Sequence, residues 1–298
     1  MFKKRNSFMA IILLLSFICF YTSFKISYSI FIKDSDYESK NNFTTSTDKL
    51  LSGKIKKPSK ESNKITRKEL ATSKKTKQQA KSKVKYTKED YIKILKELNF
   101  YTNEFSDKEL NLRKSILRFQ SSRNINADGI IGPETVDYLI KRETLAKDTL
   151  PNNFTNDYSI VINKDTRILT VYKDKKIYKK YPIAAGFNPS STPEGKFTIA
   201  TKIVNPTWIN PKNNTSIAGG TPENPLGKRW LGLSLDGGGT YGIHGNSNPY
   251  SIGTNASLGC VRMFNNEVED LYNYIPIGTS VWIGNNIKLN CWGIIQNK

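Results

Sequence analysis

Histidine is almost missing from this chain: His244 is the only one in 298 residues, and only three cysteines occur, Cys19, Cys260 and Cys291. One histidine gives no basis for a multi-histidine metal centre, and no metal or other cofactor is expected. Three cysteines make no disulfide framework. Cys291, next to Trp292, reads as a packing residue, with a regulatory bridge to Cys260 as the other possibility. Acidic residues are scarce as well: 26 Asp and Glu stand against 46 Lys and Arg, a formal net charge of +20. Such a surplus raises nucleic acid as a partner. Its placement removes that reading. Residues 1–88 hold 21 basic side chains against 6 acidic, whereas residues 89–298 hold 25 against 20. The rest of the chain therefore has no basic field, and no nucleic acid is expected as a partner.

Long apolar runs are equally rare. The one present, Phe8 to Phe24, is broken only by Ser16, Thr22 and Ser23 and comes after Lys3, Lys4 and Arg5. Residues 1–32 thus read as a cytoplasmic N-terminus and an uncleaved membrane anchor at 8–24, with the remainder of the chain outside. The alternative is a cleaved signal peptide, although the residues after the run offer a poor cleavage site. Residues 33–85 are rich in Lys, Ser, Thr and Asn without apolar periodicity. They read as a basic, disordered linker.

Beyond the linker the chain shows regular apolar periods. Over residues 86–145, Thr87 with Asp90 resembles a capping box ahead of Tyr91, Leu95 and Leu98. Ser106 with Glu109 forms a second, ahead of Leu112, Ile116 and Phe119. Gly132-Pro133 opens a third helix whose core face would be Val136, Leu139 and Ile140. From Ser159 the period changes to short strands, at 160–162, 168–172, 177–185 and 196–204, split by Asn163-Lys164-Asp165 and Lys173-Asp174-Lys175. The stretch 205–228 reads as a long loop and a candidate lid flanked by Trp208 and Trp230. After Met263, Asn265 reads as the N-cap of a helix carrying Val268, Leu271, Tyr272 and Ile275 and ending at Pro276. The expected fold class is therefore multidomain, α and β: an N-terminal membrane helix, a small three-helix bundle and a mostly-β domain over 156–298.

Chemistry concentrates near the end of that last domain. Thiolate is the reactive form of cysteine, and an imidazole can take a thiol's proton. His244 lies sixteen positions before Cys260, and Gly259 would let backbone approach the sulfur. On residue types alone a buried, inert cysteine is the commoner reading.

The complete pattern is more specific. His244, Gly245, Gly253, Ser257, Gly259, Cys260, Arg262 and Asn265 resemble the signature of the YkuD-type L,D-transpeptidase catalytic domain. So do Tyr181–Gly186 with Thr192–Phe197, and Asn224–Leu231, so the resemblance spans about residues 156–284. Two positions depart: Asn246 stands where the family usually has Thr, and Leu258 where it often has His. Phe119-Gln120, Asp128-Gly129, Gly132-Pro133 and Thr135 resemble peptidoglycan-binding three-helix modules. The resemblance implies a cell-wall enzyme that forms 3→3 cross-links through a Cys260 thioester on tetrapeptide stems, releasing D-Ala, with His244 as base. It implies the Gly259 and Cys260 N–H groups as oxyanion donors and the Gly245 carbonyl as the group orienting His244. Arg262 would orient the loop or bind a substrate carboxylate. Ser257, Tyr241 and Trp230 would line the site, and Asn265 would hold the turn presenting Cys260. Implied partners are donor and acceptor stem peptides, glycan strands through residues 86–145, and the membrane through residues 8–24. An L,D-carboxypeptidase of the same fold and a non-catalytic wall-binding scaffold remain as alternatives.

Overall fold

A computed structural model describes residues 86–154, 157–187 and 192–298. The expected membrane anchor and basic linker lie outside the described residues. Among the described residues, no helix is long and apolar enough to cross a membrane.

Three helices open the described chain. Helix α1 (Lys88–Glu97) starts at Thr87 with both bonds of the capping box in place, and buries Ile94 and Leu95. Helix α2 (Lys108–Ser122) is capped not by Ser106 but by Asp107, whose carboxylate accepts from the N–H groups of Glu109 and Leu110. Both residue types can cap, and spacing alone could not choose between neighbours. Helix α3 (Pro133–Lys141) has Pro133 in its first turn. Leu139 is fully buried in it, but Ile140 is 41% exposed, so the core face is narrower than expected. Leu95, Leu112, Ile116, Phe119 and Leu139 form the core that the helices share.

The first strands are β1 (Asp148–Thr149), β2 (Ser159–Asn163), β3 (Ile168–Lys173), β4 (Lys176–Pro182), β5 (Ala185–Gly186) and β6 (Gly195–Val204). Next come β7 (Trp208–Ile209), β8 (Ser216–Ile217), β9 (Arg229–Leu233), β10 (Gly242–His244), β11 (Asn255–Ser257) and β12 (Val261–Arg262). Helix α4 (Asn265–Tyr274), β13 (Ser280–Gly284), helix α5 (Asn286–Cys291) and β14 (Ile295–Gln296) complete the chain. The domain is mostly β with some helices. Eight strands make one sheet in the order β12-β10-β9-β6-β13-β2-β3-β4. Just past β4, Ala184 exchanges backbone hydrogen bonds with Arg262 of β12, at 2.9 and 3.0 Å, which ties the two ends of that order together.

Alternation decides which side chains fill the interior. Ile160 and Ile162 of β2, Leu169 and Val171 of β3, and Val281 and Ile283 of β13 enter one core with Ile243, Val261 and the buried face of α4. Val161 and Tyr172 point the other way, against Phe154, Leu289 and Ile294. Strands covered on both faces read as nearly continuous apolar runs, which is why β2 looks as it does. The β3–β4 hairpin turns at Asp174 and Lys175, both at positive φ without a glycine.

Two expectations change here. The 205–228 stretch is not structureless: β7 and β8 pair as a small hairpin, and the Asn224 side-chain amide donates to the carbonyls of Pro206, Ile217 and Ala218. Cys291 is exposed rather than packed, because it ends the short helix α5 on its outer side.

Candidate active site

Strand register brings His244 and Cys260 to one face. Strand β10 runs between β9 and β12, antiparallel to the first and parallel to the second, with His244 opposite both Trp230 and Arg262. Ile243 is opposite Leu231 and Val261, and all three are fully buried in the core on the other face. Cys260 precedes Val261 by one residue, so alternation returns it to the face of His244 and Arg262. Trp230, His244 and Arg262 thus form a row across three strands, with the thiol beside it.

The imidazole is fixed from several sides. Its Nδ1 donates to the Gly245 carbonyl at 2.6 Å. A carbonyl can only accept, so Nδ1 holds the proton and Nε2 is the basic nitrogen. The Trp230 ring stacks on the imidazole at 5.6 Å between centroids and 17° between planes. Trp230 is itself held by an Nε1–H bond to the Gly238 carbonyl at 3.0 Å. Gly242 makes room for that ring, since a Cβ there would stand 2.7 and 2.8 Å from two indole carbons. The Gly245 peptide is clamped in turn. Asn265 accepts from the Asn246 N–H at 2.9 Å and donates to the Asn246 carbonyl at 3.0 Å. The Asn246 side chain donates to the Met263 carbonyl at 2.7 Å, and the Met263 N–H donates to the His244 carbonyl at 2.9 Å.

Electrostatics leave both His244 and Cys260 neutral. Burial pulls the His244 pKa down to about 4, and the Arg262 charge adds to this; the carbonyls of Gly245 and Leu226 pull the other way. Burial pushes the Cys260 thiol up, opposed by the Gly242 N–H and by Arg262. At neutral pH the pair is accordingly thiol and imidazole, not thiolate and imidazolium. Cys260 is part-buried, and its Sγ–H points at the Thr240 carbonyl, 3.7 Å away. The Arg262 guanidinium is half-buried, burial lowers its pKa, and among the described residues no carboxylate pairs with it.

Several expected residues take other places. Ser257 is 2% exposed and closes the turn that leads to Cys260: its hydroxyl donates to the Cys260 carbonyl at 2.5 Å and accepts from the Gly259 N–H at 3.1 Å. That N–H is therefore committed to the turn instead of an oxyanion. Gly259 itself sits at φ +140°, where a side chain would be strained. Trp230 is 6% exposed and stands behind the imidazole rather than along a substrate wall. Tyr241 alternates to the opposite face from His244 and packs on the main core. Asn265 is the first residue of α4, not its cap, and its side chain turns back to hold the segment after His244 instead of the turn before Cys260. Gly242 and Leu226 were not anticipated, and Asn246 stood out only as a departure from the family pattern. A glycine inside a strand signals close approach of another group, and Gly242 carried that signal.

Comparison with known proteins bears on the family of the chain. Residues 157–283 match the family model of the L,D-transpeptidase catalytic domain, YkuD. The YqjB protein of Bacillus subtilis, named as an L,D-transpeptidase, is 42% identical over 134 residues, which make up 44% of this chain and 74% of that protein. The YkuD protein of Bacillus subtilis, also named as one, is 38% identical over 134 residues, 45% of this chain and 70% of that protein. A crystal structure of an L,D-transpeptidase from Xylanimonas cellulosilytica aligns at a TM-score of 0.44 and 20% identity, covering 64% of this chain and 90% of that one. The chain belongs to the L,D-transpeptidase family and is an enzyme of that class.

Proposed function

We propose that this L,D-transpeptidase forms 3→3 cross-links in peptidoglycan through a thioester on Cys260. The observation that carries the reading is the row on β9, β10 and β12: a part-buried thiol on the same sheet face as a buried, neutral imidazole whose Nδ1 is locked on a carbonyl. His244 Nε2 takes the Sγ proton as sulfur attacks the carbonyl of the third stem residue. The bond to D-Ala breaks, and the imidazolium returns the proton to the leaving amine. An amine of a second stem then attacks the thioester and gives a proton to His244. The C–S bond breaks, and the sulfur regains its proton. The thioester conserves the energy of the first peptide bond, so no nucleotide is needed.

Arg262, with no carboxylate partner among the described residues, receives a carboxylate of the stem. The Cys260 N–H is the proposed oxyanion donor. Residues 8–24 anchor the chain in the membrane with the catalytic domain outside, facing the wall, and residues 86–145 meet glycan strands.

Disaccharide-tetrapeptide incubated with the enzyme tests this reading by mass spectrometry. Acyl transfer yields dimers lighter than two monomers by one D-Ala. Disaccharide-tripeptide without dimer, at high substrate concentration, would place the enzyme with the L,D-carboxypeptidases. Unchanged substrate would make it a wall-binding scaffold.

A further inference from the structure

The helices preceding the sheet share a core with the residues on both sides of Cys260. Leu110 and Leu117 of α2 and Ala127 of the adjoining turn pack with Ala184, Ile252 and Phe264. Ile252 precedes the thiol by eight residues and Phe264 lies four beyond it, while Ala184 is hydrogen-bonded to Arg262 in both directions. The face of α2 is thus the floor beneath the catalytic segment.

Polar contacts fix the same segment. The Arg113 guanidinium forks between two carbonyls: Nη1 donates to Asp128 in the helical module at 2.7 Å, and Nη2 donates to Ile252 in the sheet domain at 2.8 Å. Tyr250 donates its hydroxyl to Asp107, the cap of α2, at 2.6 Å. Gly253 sits at φ +86°, and a Cβ there would stand 2.6 Å from Leu117 Cδ2 and 3.0 Å from the Ala127 carbonyl. At this motif glycine the missing side chain lets the module close on the loop. Beyond the thiol, the buried ammonium of Lys114 donates to Asn266 in the first turn of α4 at 2.9 Å and pairs with Glu104 at 2.5 Å. Helix α2 therefore holds the catalytic segment before and after Cys260.

We infer that the helical module is a positioning element of the reaction, with Arg113 setting the Ile252–Phe264 segment and through it the placement of Cys260 against His244. The inference rests on the acyl-transfer reading of that pair. It gives the module a task separate from holding glycan. Interactions that place reacting atoms act mainly on the chemical step, and a displacement near 1 Å costs on the order of 100-fold. A contact used only for wall binding would leave that step alone.

The full chain carrying Arg113→Ala tests this, with turnover of disaccharide-tetrapeptide, thermal melting and sedimentation with insoluble peptidoglycan measured together. The expected result is a kcat roughly 10- to 100-fold lower with KM within about twofold, in a protein that still melts cooperatively. Arg113→Lys recovers part of the loss, because an ammonium can reach one carbonyl but cannot fork between two. The rate of Cys260 alkylation by iodoacetamide tracks kcat across the three proteins. An unchanged kcat in folded Arg113→Ala overturns the inference, as does a loss confined to peptidoglycan sedimentation. If Arg113→Ala does not fold, Tyr250→Phe decides. It removes one exposed bond between module and loop, and kcat should fall about threefold at constant KM; no change in kcat overturns the inference. A wild-type enzyme yielding neither dimer nor tripeptide would instead sink the acyl-transfer reading, and this inference with it.

Discussion

Two turns in this chain, one in the L,D-transpeptidase domain and one in the helical module, use their polar groups in opposite ways. In the helical module, Gln120 Oε1 accepts from the N–H groups of Asp128 and Gly129 at 3.1 and 2.8 Å. Its Nε2 donates to Asp128 Oδ1, the Ile130 carbonyl and Thr135 Oγ1. Those groups are spent on closing their own turn. In the sheet domain Ser257 closes the turn, while the Cys260 thiol makes only a long contact to the Thr240 carbonyl, 3.7 Å away, and a bond from the Gly242 N–H, and among the described residues the Arg262 guanidinium has no carboxylate partner. Both patterns were found by spacing, and spacing treats them alike. Hydrogen-bond accounting separates them: a saturated motif builds fold, and an unsaturated one is left for chemistry.

The largest effect that would sharpen this comparison is on turnover. His244→Ala should lower kcat by about 10² to 10⁴-fold, the usual range for loss of a general base. Its pH dependence is the finer test. The base must be neutral to accept a proton, and burial holds its pKa at about 4. Wild-type kcat/KM should therefore stay level from pH 7 down to about 5 and fall only near 4. An acid limb centred near 6.5, the ordinary histidine value, would mean that the ring is solvated before substrate binds.

Next comes Gln120→Ala. It leaves the part-buried Asp128 and Gly129 N–H groups without their acceptor, and each lost bond costs about 1 kcal/mol. A lower urea midpoint with unchanged slope is expected. Full stability together with lost affinity for glycan would break the comparison, because Gln120 would then be a ligand group and not a turn group.

The smallest effect concerns Glu267, in the first turn of α4 and 3.9 Å from Lys114. Burial raises its carboxyl to about 7, outweighing the pull of Lys114, and its Oε2 is buried without a hydrogen-bond partner. A raised folded pKa means that this group's contribution is complete below the unfolded value near 4.5 and is lost as pH rises through 7. Glu267→Gln removes that loss. The difference in melting temperature, mutant minus wild type, should be more positive at pH 8 than at pH 5 by a few degrees. An equal difference at both pH values would show that the carboxyl ionises as easily in the folded protein as in the unfolded chain.

Much of the architecture was legible from period and caps. The Thr87 capping box, Pro133 at the head of α3 and the buried stripe of α2 were local signals, and local signals survive folding. The period of two also contained the fate of Tyr241. Counting back from His244 puts Gly242 on the reactive face and Tyr241 in the core, so reading Tyr241 as a site residue ignored alternation. Trp230 could not be placed that way, because its position depends on pairing between β9 and β10. The docking of Arg113 on Ile252 joins residues 139 apart and left no trace in either segment. The protonation states were hidden for a related reason. They arise from burial, which is a property of the packed sheet and not of a motif.

The central claim is that Cys260 carries the acyl group, and intact-protein mass spectrometry measures this directly. Enzyme mixed with donor disaccharide-tetrapeptide and quenched in acid should gain the mass of the donor less D-Ala. Peptide mapping should place that mass on Cys260, and Cys260→Ala should show none. Turnover in Cys260→Ala, or an adduct mapped to Cys291 or another residue, would contradict the account.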